Sequence, residues 1–219
     1  GFSIIKYTGN GTAGHTIPHN LDSAPKTTIV KALQNAQDWQ FISEGLGADK
    51  FLQFNQTGAE LSQGTHNMFN STRPSNTVVT LGNQTHTNAN NQTHIAYCFA
   101  EKQGYSKFGS YTGNGNANGP FIYLGFSPSF VLYKVSSAAS DWYIQDNKRL
   151  TYNVNNTRLE ANNSDTEVTG AADSIDMLSN GFKLRHTSSS FNASGATYIF
   201  MAFAENPFTT STGVPATAR

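Results

Sequence analysis

The sequence contains one pentapeptide, Tyr-Thr-Gly-Asn-Gly, twice, at residues 7–11 and again at residues 111–115. The surroundings of the two copies also correspond, because Asp38-Trp39 returns 103 positions later as Asp141-Trp142. A nearly constant period over most of a chain indicates repeated structural units. The sequence therefore predicts a tandem duplication, with a first domain at residues 1–103, a second at 104–208 and a C-terminal tail at 209–219.

The composition favours β-structure in both repeats. Charged residues make up 13% of the 219 residues, compared with about 25% in ordinary soluble domains. Asn, Thr, Ser and Gln supply the polarity instead, and these residues suit turns and exposed strand faces. We therefore predict an all-β chain of two tandem β-sandwich domains, either jelly-roll or lectin-like, with little helix and a short helical turn near residues 170–178. The predicted strands lie at residues 1–7, 15–21, 27–31, 38–42, 50–55, 94–101, 130–133 and 198–205.

Each repeat begins near the pentapeptide and ends on an apolar strand. The Gly-Asn-Gly part accepts positive φ, so each copy is predicted to be a tight turn that sets the first hairpin of its repeat. The closing segments 94–101 and 198–205 are nearly continuous apolar runs, which favours a central position in a sheet with both faces covered. Cys98 lies in the first of these runs, and we interpret it as a small buried hydrophobe.

Charge and hydropathy exclude several classes of partner. The net charge is zero, with six acidic and six basic residues at 1–103 and eight of each at 104–219. Neither repeat has the basic surplus that binding to phosphates uses, so nucleic acid is not expected as a partner. No run of 18 or more apolar residues is present, so no membrane span is expected. The first residues also lack the pattern of a signal peptide.

No catalytic, metal or cofactor motif is recognisable. The candidate carboxylates of a glycosidase each have a counterpart in the other repeat, whereas one active site per chain would break that symmetry. A single cysteine excludes an intrachain disulfide and a cysteine-based zinc site, and the six histidines have no further ligands near them in the sequence. We therefore predict no enzyme activity, no metal site and no cofactor.

Two features suggest where a ligand binds. Each Asp-Trp pair is either a sugar platform, with the ring stacking and the acid accepting hydroxyl hydrogen bonds, or part of the fold. Segments 63–76 and 83–93 have no clear match in the second repeat, and they are either binding loops or tolerated variation on an exposed edge. The candidate ligand-binding residues are Trp39, Trp142, His66, Asn67, Arg73, His86 and Asn90.

The repeated motifs also carry a resemblance. Gly-Phe-Ser at 1–3, the pentapeptides, the Asp-Trp pairs and the final Ala-Phe-Ala-Glu-Asn-Pro-Phe at 202–208 resemble a domain that recurs, often in tandem, in structural proteins of tailed bacteriophages from aquatic hosts. The resemblance covers about residues 1–208 and supplies no catalytic residues.

The resemblance implies a virion structural protein, as a tail fibre, capsid fibre or surface decoration. Such a protein would be assembled in the host cytoplasm, would contact other virion proteins and copies of itself, and would be able to bind glycans of the host surface. Two alternatives stay open: a free-standing, lectin-like glycan-binding module and a glycan-degrading enzyme.

Overall fold

The computed structural model describes residues 1–170 and 172–206, and the chain divides into two compact units, Gly1–Glu101 and Lys102–Arg219. The predicted all-β class is confirmed, since strands account for 40% and helices for 4% of the residues. None of the helices in the described ranges is long and apolar enough to cross a membrane. The predicted tail at 209–219 lies outside the described residues.

Unit 1 contains eight strands and two single-turn helices. The strands form a six-stranded antiparallel sheet, in the order β1-β8-β3-β4-β5-β6, and a separate β2-β7 pair. The elements are β1 (Phe2–Thr8), β2 (His15–Pro18), β3 (Thr27–Ala32), β4 (Gln40–Ser43), β5 (Lys50–Gln53), β6 (Leu61–Ser62), α1 (Gln63–His66), β7 (Val78–Leu81), α2 (Thr85–Asn88) and β8 (Thr93–Phe99).

Unit 2 also contains eight strands. They form a five-stranded antiparallel sheet, in the order β9-β16-β11-β12-β13, and a three-stranded sheet, in the order β10-β15-β14. The strands are β9 (Ser106–Thr112), β10 (Phe121–Tyr123), β11 (Pro128–Val135), β12 (Tyr143–Asp146), β13 (Leu159–Glu160), β14 (Ile175–Leu178), β15 (Gly181–Leu184) and β16 (Thr197–Ala204).

The two units place their strands in the same order. In each large sheet the last strand of the unit lies between the first strand and the third, and the fourth strand follows on the far side of the third. In each small sheet the second strand of the unit pairs with a strand from its later half, β7 or β15. Each unit has an apolar core to which both of its sheets contribute, for example through Val30 and Val79 in unit 1 and through Tyr133 and Phe182 in unit 2.

The structure tests three finer predictions about these elements. All eight predicted strand segments overlap strands, but the helical turn predicted near residues 170–178 is wrong, because 175–178 form β14. The closing strands are interior strands, as predicted. Burial on both faces holds for β16, whereas residues of β8 alternate between buried and half-buried.

The repeated pentapeptide is not the turn of a hairpin. β1 pairs with β8 and β9 pairs with β16, whereas β2 and β10 belong to the small sheets. The predicted hairpin is therefore wrong, and the pentapeptide instead carries the chain from the large sheet to the small one. A Cβ at Gly9 would lie 2.3 Å from the carbonyl oxygen of Ala89, and a Cβ at Gly113 would lie 2.2 Å from that of Ala193. Glycine is needed at these positions because another loop is too close for a side chain.

A buried asparagine holds this crossover in each unit. The side-chain oxygen of Asn192 accepts a hydrogen bond from the backbone N–H of Asn114 (2.9 Å), and its Nδ2 donates to the carbonyl oxygens of Asn116 and His186 (2.8 Å each). Asn88 makes the same three bonds with residues 104 positions earlier, at 2.9, 3.0 and 2.7 Å. The segment at 88–93 therefore has a counterpart at 192–197, which corrects the prediction that all of 83–93 lacks one.

Candidate functional site

The seven predicted binding residues differ in exposure and surroundings. Trp142 is 1% exposed, so its ring offers no face on which a sugar could stack. Trp39 is half-buried, and Asn90 is exposed in the loop before β8. Asn67 is half-buried, and its backbone carbonyl packs against the α-carbon of Gly82 closely enough to exclude a side chain there. None of these four residues lines either of the two pockets described below.

The Asp-Trp pairs are built into the fold in the same way in both units. In unit 1 the Nδ2 of Asn55 donates to Oδ1 of Asp38 (2.8 Å), and the backbone N–H of Trp39 donates to Oδ1 of Asn55 (2.9 Å). In unit 2 Asn162 makes both corresponding bonds with the second pair, at 2.8 Å each. An asparagine from the turn after the fifth strand of each unit thus binds the pair. This arrangement favours the structural interpretation of the motif.

His86 lies close enough to His66 and to Asp38 for their charges to act on it. Burial lowers the pKa of His86, the negative charge of Asp38 opposes this effect, and the charges of His66 and Lys31 add to it. Burial also raises the pKa of Asp38, but hydrogen bonds from Gln56 and Asn55 outweigh that effect and hold it below its usual value. Over the described residues, no group of three or more His, Cys, Asp or Glu is placed to hold a metal ion. We therefore assign no metal to these histidines.

Each unit has a pocket at the same place in its fold. Glu44 lines the first pocket, and Asn147, 103 positions later, lines the second. The backbone N–H of Glu44 donates to the carbonyl of Lys26 (2.7 Å), and that of Asn147 donates to the carbonyl of Ser129 (3.1 Å). Both pockets therefore lie where the residue after the fourth strand of the unit is hydrogen-bonded to the beginning of the third strand. The shared location makes them the best candidates for function in the described structure.

The pocket of unit 2 has a volume of about 290 Å³ and a wall formed by the loop between β12 and β13. Asn153 fixes this loop, since its amide donates to the carbonyl of Met177 and accepts from the backbone N–H of Met177, both at 2.9 Å. Asn155 is buried and donates to the carbonyl of Asp146 (2.6 Å). The pocket wall is therefore held in place by amide side chains that bond to backbone.

Asp146 anchors the beginning of the same loop. Its carboxylate accepts hydrogen bonds from the backbone N–H groups of Lys148 and Arg149 (2.9 Å each) and from Nε of Arg149 (2.7 Å). Burial raises the pKa of Asp146, but these hydrogen bonds and the charge of Arg149 outweigh burial and lower it. The carboxylate is therefore ionised at neutral pH and holds the loop.

Several groups of this pocket remain available to a ligand. Tyr152 is 71% exposed, which is the largest value among the exposed large hydrophobic residues of the described structure. Ser127 and Thr151 contribute hydroxyl groups to the lining. Lys148 and Glu205 form an ion pair at 3.4 Å between exposed side chains. The pocket thus combines an exposed aromatic ring with hydroxyl, amide and charged groups.

The pocket of unit 1 is smaller and more charged. Its volume is about 170 Å³, and its lining includes Lys26, Glu44 and Arg73. Lys26 and Glu44 are paired at 2.5 Å, and Nη2 of Arg73 donates to the backbone carbonyl of Leu46. Burial lowers the pKa of Arg73, and the negative charges of Glu44 and Asp49 oppose this effect. Of the seven predicted residues, Arg73 is the one that lines a pocket.

Sequence reasoning missed the pocket of unit 2, although the sequence contains a signal for it. Trp142 follows Trp39 by 103 positions, whereas Asn162 follows Asn55 by 107. The second unit therefore has four additional residues between these two points, and Tyr152 lies in that interval. An insertion relative to the other repeat is therefore the sequence signal that marks this pocket.

Comparison with known proteins places the chain in a family without assigning it a function. No curated protein and no solved structure matches it. One family model matches residues 1–207, and so covers most of both units. The chain therefore belongs to the family DUF7483, which is described as a domain of unknown function.

Proposed function

We propose that this chain is a structural protein of a bacteriophage virion that binds a host-surface carbohydrate in the pocket of unit 2. The exposed ring of Tyr152 at that polar pocket is the observation that carries the proposal. An aromatic ring offers an apolar face, and sugars present apolar C–H faces together with hydroxyls that need hydrogen-bond partners. The same pocket supplies hydroxyl and amide groups for those partners.

The size and lining of the pocket support binding rather than hydrolysis. Its volume of about 290 Å³ is at the lower end of the range for small-molecule sites, about 300–1,000 Å³, which suits one or two sugar rings. Glu205 is the single carboxylate among the described lining residues. Glycoside hydrolysis usually requires two carboxylates on either side of the scissile bond. We therefore propose that the pocket binds a carbohydrate and does not hydrolyse it.

We further propose that the two units are duplicated β-sandwich domains. The shared strand order, the shared asparagine anchors and the pockets at equivalent positions all support this origin. A large and a small antiparallel sheet contribute to one core in each unit, as in a sandwich. Duplication of a rigid scaffold that leaves one pocket per copy suits a protein that presents binding sites.

The virion context rests on the repeated motifs and agrees with the chemistry of the chain. Zero net charge and the even distribution of charges suit a protein that packs among other proteins rather than on nucleic acid. The resemblance in these motifs implies contact with other virion proteins and with further copies of the chain. A free-standing glycan-binding module would have the same pocket, so the pocket alone does not separate the two.

The test of carbohydrate binding compares two exposed tyrosines of unit 2. The purified chain is titrated with host-surface polysaccharide by calorimetry. Tyr152→Ala is expected to weaken binding by at least about tenfold, or about 1.4 kcal/mol. Tyr123→Ala is the matched control, because Tyr123 is 60% exposed on β10 and does not line the pocket. Equal affinity of wild type and Tyr152→Ala would refute the proposed site.

The test of the virion context is separate. Mass spectrometry of purified particles should detect the chain at a fixed copy number, and immunogold labelling should locate it. Polysaccharide binding by a chain that is absent from particles would favour the free-standing module. Release of new reducing ends from the polysaccharide would favour the glycan-degrading enzyme.

A further inference from the structure

The pocket of unit 1 differs from its counterpart in the charges that line it. Lys26 and Glu44 occupy positions that correspond to Ser129 and Asn147 in unit 2. Arg73 adds a third charged group from the segment that follows α1. The first pocket thus carries two cations and one carboxylate, whereas the charges of the second pocket are the single pair of Lys148 and Glu205. The chemistry of the site therefore changes while its place in the fold is kept.

We propose that this pocket is a second binding site, which takes a small ligand with a carboxylate group and uses Arg73 as the principal donor. The proposal is independent of the carbohydrate site in unit 2, since it rests on a different pocket with different residues. It identifies the ligand by its chemistry, and a sugar acid such as glucuronate is the simplest probe of that class.

The guanidinium group of Arg73 is already oriented for binding such a ligand. One nitrogen of its guanidinium, Nη2, donates to the backbone carbonyl of Leu46, which fixes the direction of the group. Within the described part of the chain, no further hydrogen bond from this side chain is found. Arginine binds carboxylates with two parallel N–H···O bonds when its planar group is already oriented. The remaining N–H groups of Arg73 can make that contact.

The position of Glu44 shows that the cations of this pocket attract a carboxylate group. Its carboxylate is held by Lys26 at 2.5 Å, and its charge also acts on Arg73. The side chains of Lys26 and Glu44 are 36% and 51% exposed, and such exposed pairs contribute little net stability. A ligand carboxylate can therefore displace Glu44 at low cost. Glu44 acts as an internal competitor for the two cations.

The volume and the apolar lining limit the size of the ligand. A pocket of about 170 Å³ holds about five or six water molecules at about 30 Å³ each, which is room for one small ring. Pro25, Pro74 and Ile42 supply apolar surface beside the charged groups. The pocket therefore suits a single acidic ring or a short acid.

The experiment is an NMR titration of the full chain with sodium glucuronate, with glucose at the same concentrations as a neutral control. Glucuronate should shift the amide signals of Thr28, Leu46 and Arg73, and glucose should not. Arg73→Gln should weaken glucuronate binding at least tenfold, and Arg73→Lys should weaken it by a smaller factor. Equal shifts with glucose, or unchanged affinity of Arg73→Gln, would overturn the proposal.

A second variant covers the case in which Arg73→Gln fails to fold. Glu44→Gln leaves Arg73 and its bond to Leu46 intact and removes the internal competitor, so glucuronate should bind about threefold more tightly. A purely structural role for Glu44 predicts unchanged or weaker binding, and that result would contradict the proposal. Tyr152→Ala should leave glucuronate binding unaltered, so failure of this site and failure of the carbohydrate site in unit 2 are distinguishable.

Discussion

Replacement of Asn192 by alanine should destabilise unit 2 by about 3 kcal/mol. The side chain is fully buried and makes three hydrogen bonds to backbone, at 2.8–2.9 Å. Each neutral hydrogen bond contributes a net value of roughly 1 kcal/mol, and a buried partner left without a bond costs about 1–3 kcal/mol. Asn114 and Asn116 are exposed, so water can replace part of the loss there. The estimate of about 3 kcal/mol takes the low end for these groups.

The measurement is hydrogen exchange of the amides in β9 and β16, combined with urea unfolding followed by circular dichroism. The control is Ser194→Ala, which removes a hydroxyl from an exposed residue of the same loop and should change stability by no more than about 0.5 kcal/mol. Asn88→Ala should have at least as large an effect on unit 1, because Asn88 also bonds to His15 (2.9 Å). A loss below about 1 kcal/mol for Asn192→Ala would show that the asparagine does not hold the crossover.

Two further perturbations test the physical account of the fold. Lys134 is fully buried, and burial lowers its pKa to about 8 while Asp141 opposes the shift. Between about pH 8 and 10.5 the unfolded chain therefore binds a proton that the folded chain does not. The free energy of unfolding of wild type, relative to that of Lys134→Met, should rise by roughly 3 kcal/mol over this range when measured by urea unfolding at several pH values. A difference that does not change with pH would contradict the lowered pKa of Lys134. Gly113→Ala should lower the melting temperature strongly, because its Cβ would meet a carbonyl oxygen at 2.2 Å. Gly58→Ala is the control and should leave the melting temperature nearly unchanged, because the space around Gly58 is open. Equal melting temperatures of these two variants would refute the claim that the close approach requires glycine at 113.

Sequence patterns predicted the class of the fold and most strand positions because these depend on local chemistry. The β-branched run that became β3 and the apolar run that became β16 satisfy strand propensity and burial at once. Local sequence patterns do not predict which strands pair with each other. Gly-Asn-Gly has the local signature of a hairpin, and the preference for a crossover comes from a contact with a loop almost eighty residues away. Local turn chemistry carries no information about that contact.

The candidate binding site was harder to predict than the fold, for a reason that Trp142 and Tyr152 illustrate. Tryptophan beside aspartate resembles a sugar platform and is repeated, yet repetition marks what both units need in order to fold, and Trp142 is buried. Tyr152 belongs to no recognisable motif and lies in a segment without a counterpart in unit 1. In a chain of two corresponding units, the residues that both units share reflect a common constraint, which is usually the scaffold.

The two pockets share their location in the fold but differ in their lining. Their location is shared, so the scaffold provides a concave place at the start of the third strand in either unit. Each lining contains one ion pair, but beside it the first pocket has Arg73, whereas the second has the exposed ring of Tyr152. A purely structural cavity would have no reason to exchange an additional cation for an exposed aromatic ring. The divergence between equivalent pockets, rather than either pocket alone, is therefore the strongest support for the proposals that both bind ligands and that the ligands are chemically different.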